Sequence, residues 1–343
     1  MSDALFFRLC NSVAPLRTVK ETAVMSFVIA RQHDVKARTL LAASFFLATS
    51  CAAADPSLKI EAFAVPTPMG DVYSIAAGDN GDMWFVETTG DKVGKISPSG
   101  VFTEFPIPAD SGLSDPIAIG KGADGRMWFT TLDTTIGAVT ANGAFQKVGL
   151  SSFVVSYIEP ITSGSDNRLY FVDAHGNIGA ITTAGVTSDY SIPTSNAEVS
   201  AIASGPDANI WFAEFSGNSI GRMTVSGSFA EFPLPIAQSQ PSAITTGPDG
   251  NLWFIENRCP ACEIDAPDSI QVIGRITPSG TITEFEVPST KGKAFFDTRG
   301  GIVTGPDGAL WFTEPVNNRI GRISTSGTIS EFDMPAPDGA VPR

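Results

Sequence analysis

Apolar residues fall along this chain in short blocks divided by Gly, Pro, Asp and Ser. The stretch from Gln240 to Glu256 shows the pattern cleanly. Ala243 to Thr246 reads as a short strand, Gly247-Pro248-Asp249-Gly250 as a turn, and Leu252 to Ile255 as a second strand. Pro presets a negative φ in such a turn and Gly is free to take a positive one. The second block is apolar at every position instead of alternating, as expected of a strand covered on both faces. Ile273-Gly274-Arg275-Ile276 predicts a third strand, and Pro278-Ser279-Gly280 a hairpin turn into a fourth over Thr281 to Val287.

This unit recurs. A Trp-Phe or Tyr-Phe pair begins at Trp84, Trp128, Tyr170, Trp211, Trp253 and Trp311, at intervals of 44, 42, 41, 42 and 58 residues. An Ile-Gly or Val-Gly step and then a Glu-Phe or Asp-Tyr step follow in the better copies. A period in the low forties is the length of one four-stranded propeller blade, so the expected fold is an all-β β-propeller. The aromatic pairs are read as packing between blades, since each ring can bury roughly 150–250 Å². The Gly of Ile-Gly is read as permitting close approach of neighbouring backbones. Six complete units run from about Val72 to Pro335. Ile60 to Pro66 resembles the fourth strand of a repeat and lies ahead of the first unit. Six blades, with this segment pairing onto the last one, is the first expectation; a seventh, degenerate blade is the alternative.

Composition adds a leader and an acidic body. Basic Lys36 to Arg38, an apolar or small stretch from Thr39 to Ser50, and Ala52-Ala53-Ala54 before Asp55 make a secretory signal pattern. Its apolar run is short for a membrane span. Residues 1–54 are therefore assigned to a signal peptide and upstream segment, and 55–343 to a single propeller domain. That division implies an extracytoplasmic, periplasmic or secreted protein, without a transmembrane span in the mature chain and monomeric. Cys51 leaves lipoprotein anchoring as the lesser alternative. The net charge is −14, and loss of six Lys/Arg and three Asp/Glu with residues 1–54 takes it to −17. Such acidity argues against nucleic acid and anionic membranes and suits cation binding.

The string Gly-Pro-Asp-Gly-x-Leu-Trp-Phe-x-Glu, then Asn-x-Ile-Gly-Arg-Ile, then Gly-x-Ile-x-Glu-Phe-x-x-Pro resembles the repeat of the virginiamycin B (streptogramin B) lyases. Gly305 to Glu314, Asn318 to Ile323 and Gly327 to Pro335 carry it almost intact, and the likeness covers roughly residues 58–335. The resemblance implies a seven-bladed propeller. It also implies Mg²⁺-dependent opening of a cyclic depsipeptide at its ester linkage by elimination, without water. In those lyases a His at the entry to a first strand serves as base and substrate contact. The matching positions here are Tyr73, Ile117, Ile161, Ser200, Ser242 and, more loosely, Gly300, none of them His. Tyr73, Ser200 and Ser242 remain as candidate substrate contacts.

The residues two beyond each aromatic pair's first Phe are Glu87, Thr131, Asp173, Glu214, Glu256 and Glu314. Five acids in one column are expected at the channel mouth, where their repulsion would need a cation, Arg partners or protonation. Oxygen ligands fit Mg²⁺ or Ca²⁺, which makes Glu256, Glu314, Glu214, Glu87 and Asp173 the candidate metal ligands; the resemblance singles out Glu256 and Glu314. The alternative is that each acid pairs with a neighbouring strand as part of the repeat. His175, two residues from Asp173, is the candidate base, against a plain solvated turn. An insertion at about 258–272 holds Cys259 and Cys262, read as a local disulfide in a secreted setting. Three functions follow: a divalent-cation-dependent lyase on a small cyclic or ester substrate; a non-catalytic ligand-binding or interaction propeller; and a lactonase-like hydrolase with Ca²⁺.

Overall fold

The computed structural model describes residues 58–334 apart from 69, 133–134, 149–160, 174–175, 259–268 and 293–299, together with three N-terminal strands. The protein is an all-β propeller. Each of the six repeats folds as a four-stranded antiparallel blade whose strands are paired in chain order. The innermost strands are Val72–Ala77, Pro116–Lys121, Ile161–Ser163, Val199–Ser204, Pro241–Thr246 and Ile302–Thr304, and each lies beside the next around the ring.

A further sheet stands at the seam. Strands β1 (Leu5–Asn11), β2 (Met25–Ile29), β3 (Leu41–Phe45) and β4 (Leu58–Ala64) pair in the order β3-β2-β1-β4. Its inner strand β3 lies against the innermost strands of both the first and the sixth blade. The segment from Ile60 thus takes the outer-strand position expected of it, but its partner is β1. The sixth blade instead ends on its own fourth strand, Ile329–Asp333.

The second strand of every blade is wholly buried, which explains its unbroken apolar run. Trp128, Trp211, Trp253, Tyr170 and the Phe beside each are among the largest fully buried side chains. The Gly of Ile-Gly serves its own blade, not the neighbouring backbone. The Phe ring of the second strand lies against it, and a Cβ at Gly221 would stand 2.1 Å from the Phe212 ring.

A polar column locks the aromatic one in blades two to six. The turn aspartate accepts from the indole four residues on, as in Trp211 Nε1 to Asp207 at 2.9 Å and Trp253 Nε1 to Asp249 at 3.0 Å. Trp211 stacks on Phe232 at 5.6 Å, and Arg222 lies 5.5 Å from the indole centroid. The same guanidinium donates to Pro278 O, in the outer hairpin of the next blade, at 2.7 Å. Arg275 does likewise to Thr325 O at 3.0 Å. In blades two and three the third strand carries Ala138 and Ala180 opposite the ring. There Arg126 and Arg168, from the turn just before the second strand, cover Trp128 and Tyr170 and reach Thr183 O and Val225 O of the following blade.

The blade-five hairpin is longer than the repeat predicts. Leu252–Arg258 and Ile270–Ile276 stay paired out to Arg258 and Ile270, at the root of the insertion. Cys259 and Cys262 lie outside the described residues, as does His175. Among the described residues no helix is long and apolar enough to cross a membrane.

Candidate functional site

The acidic column closes each second strand at the end where the first strand begins, since Glu87 pairs with Val72 and Glu214 with Val199. It does not form an open crown. Glu87, Glu214, Glu256 and Glu314 are 0% exposed and Asp173 is 3% exposed. Each is held within its own blade. Among the described residues no group of three or more His, Cys, Asp or Glu side chains is gathered to hold a metal ion.

Asp173 accepts from Asn177 N at 2.8 Å; what Glu87, Glu214, Glu256 and Glu314 each meet is a second acid. The register sets Gly94, Gly221, Gly274 and Gly321 of the third strands opposite Glu104, Glu231, Glu284 and Glu331 of the fourth. A strand's side chains alternate faces, so the second-strand glutamate and this fourth-strand glutamate share one. Opposite the fourth-strand acid the third strand carries glycine, so no side chain at that position separates the two. In blade one Lys92 Nζ bridges to Glu104 at 2.7 Å. In blade five Arg258, itself buried, reaches Glu256 at 2.9 Å and Glu284 at 2.7 Å. In blade six Arg319 stands 3.8 Å from Glu331, while Ser289 and Asn317 donate to Glu314 at 2.9 and 3.1 Å. Blade four has Ser219 where Lys92 and Arg319 stand.

Burial, then the neighbouring carboxyl, pushes Glu87 and Glu214 up to about 7. Burial also raises Glu256 to about 7, against the pull of Arg258. Glu314 is raised for the same first reason. A carboxyl so enclosed holds its proton close to neutrality, and is thereby a group able to take or give one, or to trade it for a cation.

The predicted substrate column lies at the start of the innermost strands. Tyr73 packs partly buried against the core between blades one and two. Ser200 donates to Pro241 O at 2.6 Å and so ties blade four to blade five. Ser242 accepts from Asn257 Nδ2 at 2.9 Å. Two positions earlier comes a column that the sequence reading did not single out. Asp71, Asp115, Glu198 and Gln240 are left-handed, with φ of 45°, 48°, 52° and 47°. Non-glycine residues in that region are strained by about 1–2 kcal/mol each. Their carbonyls accept from the residue just after the acidic column, as in Thr88 N to Asp71 O at 3.1 Å and Phe215 N to Glu198 O at 3.0 Å. Polar residues at this fixed offset ahead of each first strand are the signal that marks them in the sequence. The fourth-strand acids were visible too, in the Glu-Phe steps, but not as partners of the first column.

The model of the virginiamycin B lyase family matches residues 43–271 and 264–343. The chain belongs to the virginiamycin B lyase family. A solved virginiamycin B lyase from Staphylococcus aureus is 32% identical, covering 78% of this chain and 85% of its own, with a TM-score of 0.65. A streptogramin B lyase structure is 30% identical over 80% of this chain and 87% of its own, with a TM-score of 0.66. A catalytically inactive His-to-Ala form of the S. aureus lyase, solved with quinupristin, is 32% identical over 76% of this chain and 84% of its own, with a TM-score of 0.64. The curated virginiamycin B lyase of Bordetella parapertussis is 31% identical over 63 residues, 18% of this chain, so the match spans about a fifth, 21%, of that relative.

Proposed function

We propose that this protein is an extracytoplasmic, divalent-cation-dependent carbon–oxygen lyase that opens a small cyclic or ester-containing peptide. The observation that carries the reading is the 30–32% identity to lyases of this family over about four-fifths of the chain. In the reaction a base removes the proton α to a carbonyl, the alkyl C–O bond of the ester breaks, and a carboxylate leaves as a C=C bond forms. A bound Mg²⁺ would supply charge to the carbonyl oxygen that gathers electrons. Of the two glutamates the resemblance nominates, Glu256 already has its charge met by Arg258. Both keep a buried Oε1 without a donor, so it is the absence of an ion pair to Glu314 among the described residues that makes it the better suited of the two to hold a cation. His175 is the candidate base.

The test is incubation of the purified protein with quinupristin, with Mg²⁺ or with EDTA, followed by mass spectrometry. Elimination yields a linear product of unchanged mass, and only with Mg²⁺; addition of one water would mean hydrolysis, and an intact ring in Mg²⁺ would refute the reading.

A second reading, a non-catalytic ligand-binding propeller, is favoured by one observation. Ser200 and Ser242 stand where the lyases carry His, and both are engaged in hydrogen bonds within the scaffold. It predicts that quinupristin binds without turnover.

A further inference from the structure

Blade four lacks something that three other blades have. Blades one, four, five and six each enclose two glutamates on one sheet face. In blades one, five and six a cationic side chain lies against the pair: Lys92, Arg258 and Arg319. In blade four the corresponding residue is Ser219, whose hydroxyl turns back to Gly217 O at 3.2 Å. Among the described residues no Lys or Arg forms an ion pair with Glu214 or Glu231.

The two carboxyls of blade four are unequally served. Glu231 accepts from Thr194 N at 3.1 Å and from Thr194 Oγ1 at 3.0 Å, two donors that favour its ionised form. Glu214 is fully buried and neither of its oxygens meets a donor. Gly217 lets the chain pass over it; a Cβ there would stand 2.5 Å from Glu214 Oε2. An enclosed carboxylate without a partner costs several kcal/mol. In blade five a guanidinium meets both acids, while in blades one and six the cation meets the fourth-strand acid and Glu87, like Glu214, has no donor on either oxygen; among the described residues blade four has no such cation on either acid.

We propose that blade four binds a hard divalent cation between Glu214 and Glu231, in the place that Lys92 fills in blade one. Carboxylate and hydroxyl oxygens without sulfur or imidazole select Ca²⁺ or Mg²⁺. The site is structural and does not depend on the lyase reading. It needs neither substrate nor His175, and it joins the fourth strand of the blade to the second.

The experiment uses the full chain, stripped with EDTA at pH 8 and then given calcium chloride or magnesium chloride. Thermal unfolding and titration calorimetry are the readouts. The cation raises the unfolding midpoint by a few degrees, and the calorimetric stoichiometry falls by one in Glu231→Gln and in Ser219→Lys. The lysine variant supplies an internal ammonium, so it also unfolds at a higher temperature than the parent in EDTA; its loss of binding then cannot come from misfolding. No cation-dependent shift in the parent, or an unchanged stoichiometry in Ser219→Lys, overturns the site. Quinupristin turnover by the same samples is scored separately. Turnover without a blade-four effect refutes this site alone, and a blade-four effect without turnover refutes the lyase alone.

Discussion

At the scale of single residues, two sets of carboxyls pull stability in opposite directions along the pH axis. Glu87, Glu214 and Glu256 are raised from 4.5 to about 7 in the folded protein, burial being the main cause. They bind protons more tightly folded than unfolded. Their contribution is therefore complete below about 4.5 and is lost as pH rises through 7, by up to about 3 kcal/mol for each. The turn aspartates Asp124, Asp207 and Asp249 behave inversely. Burial raises them, but donation from the tryptophan indole and nearby backbone outweighs it, and they end below their usual range. Their contribution is present above 3.8 and lost on acidification. Without divalent cations the unfolding midpoint is expected to peak at mildly acidic pH and to decline toward pH 8. Glu214→Gln, which removes a carboxylate that cannot be solvated, raises the midpoint at pH 8 in EDTA and flattens the decline. A midpoint that climbs steadily to pH 8 would contradict this.

At the scale of elements, strand positions and turns were legible because the turn signals are local. Gly-Pro-Asp-Gly and Pro-Ser-Gly announce a reversal wherever they stand. Which columns meet was not legible, because that depends on register across three strands. Glu214 and Glu231 lie in separate motifs, and only the pairing of Gly221 with both Phe212 and Glu231 brings them to one face. The role of the Ile-Gly glycine was misread for the same reason. The hairpin glycines answer to two demands at once: Gly280 has φ of +97°, and a Cβ there would lie 2.3 Å from the Phe232 ring of the preceding blade. Gly280→Ala is expected to cost about 2 kcal/mol or more, measured by urea unfolding. A loss below half a kcal/mol, of the size typical of surface changes, would show that the two blades are not packed as described. Gly250→Ala, at a φ of +73° with open space around it, should cost less.

At the scale of the molecule, the six-blade count read from the aromatic anchors holds, and the seam is where the sequence was least informative. The segment around Phe63 was recognisable as an outer strand because its Phe63 and Pro66 follow the fourth-strand pattern of the repeat, although Ala62 stands where the repeat carries Glu. Its ring rests on Gly100 of the first blade as Phe105 rests on Gly143. Strands β1 to β3 carry no copy of the repeat and were read as a leader. The ring is thus joined at its seam by the packing of β3 against two neighbours, since among the described residues no sheet there shares strands from the two ends of the chain.

Four of the five arginines that cover the aromatic pairs lean the same way, while Arg322, over Trp311, is held by Asp307 of its own blade. Arg126, Arg168, Arg222 and Arg275 each hold the hairpin of the blade that follows. Damage should then travel in one sense around the circle. Arg275→Ala is expected to speed amide exchange in the outer hairpin near Thr325, while the hairpin near Val225, two blades upstream, keeps its protection. Equal loosening on both sides would mean that the wheel has no preferred direction. As built, it behaves like a row of people each with a hand on the next one's shoulder.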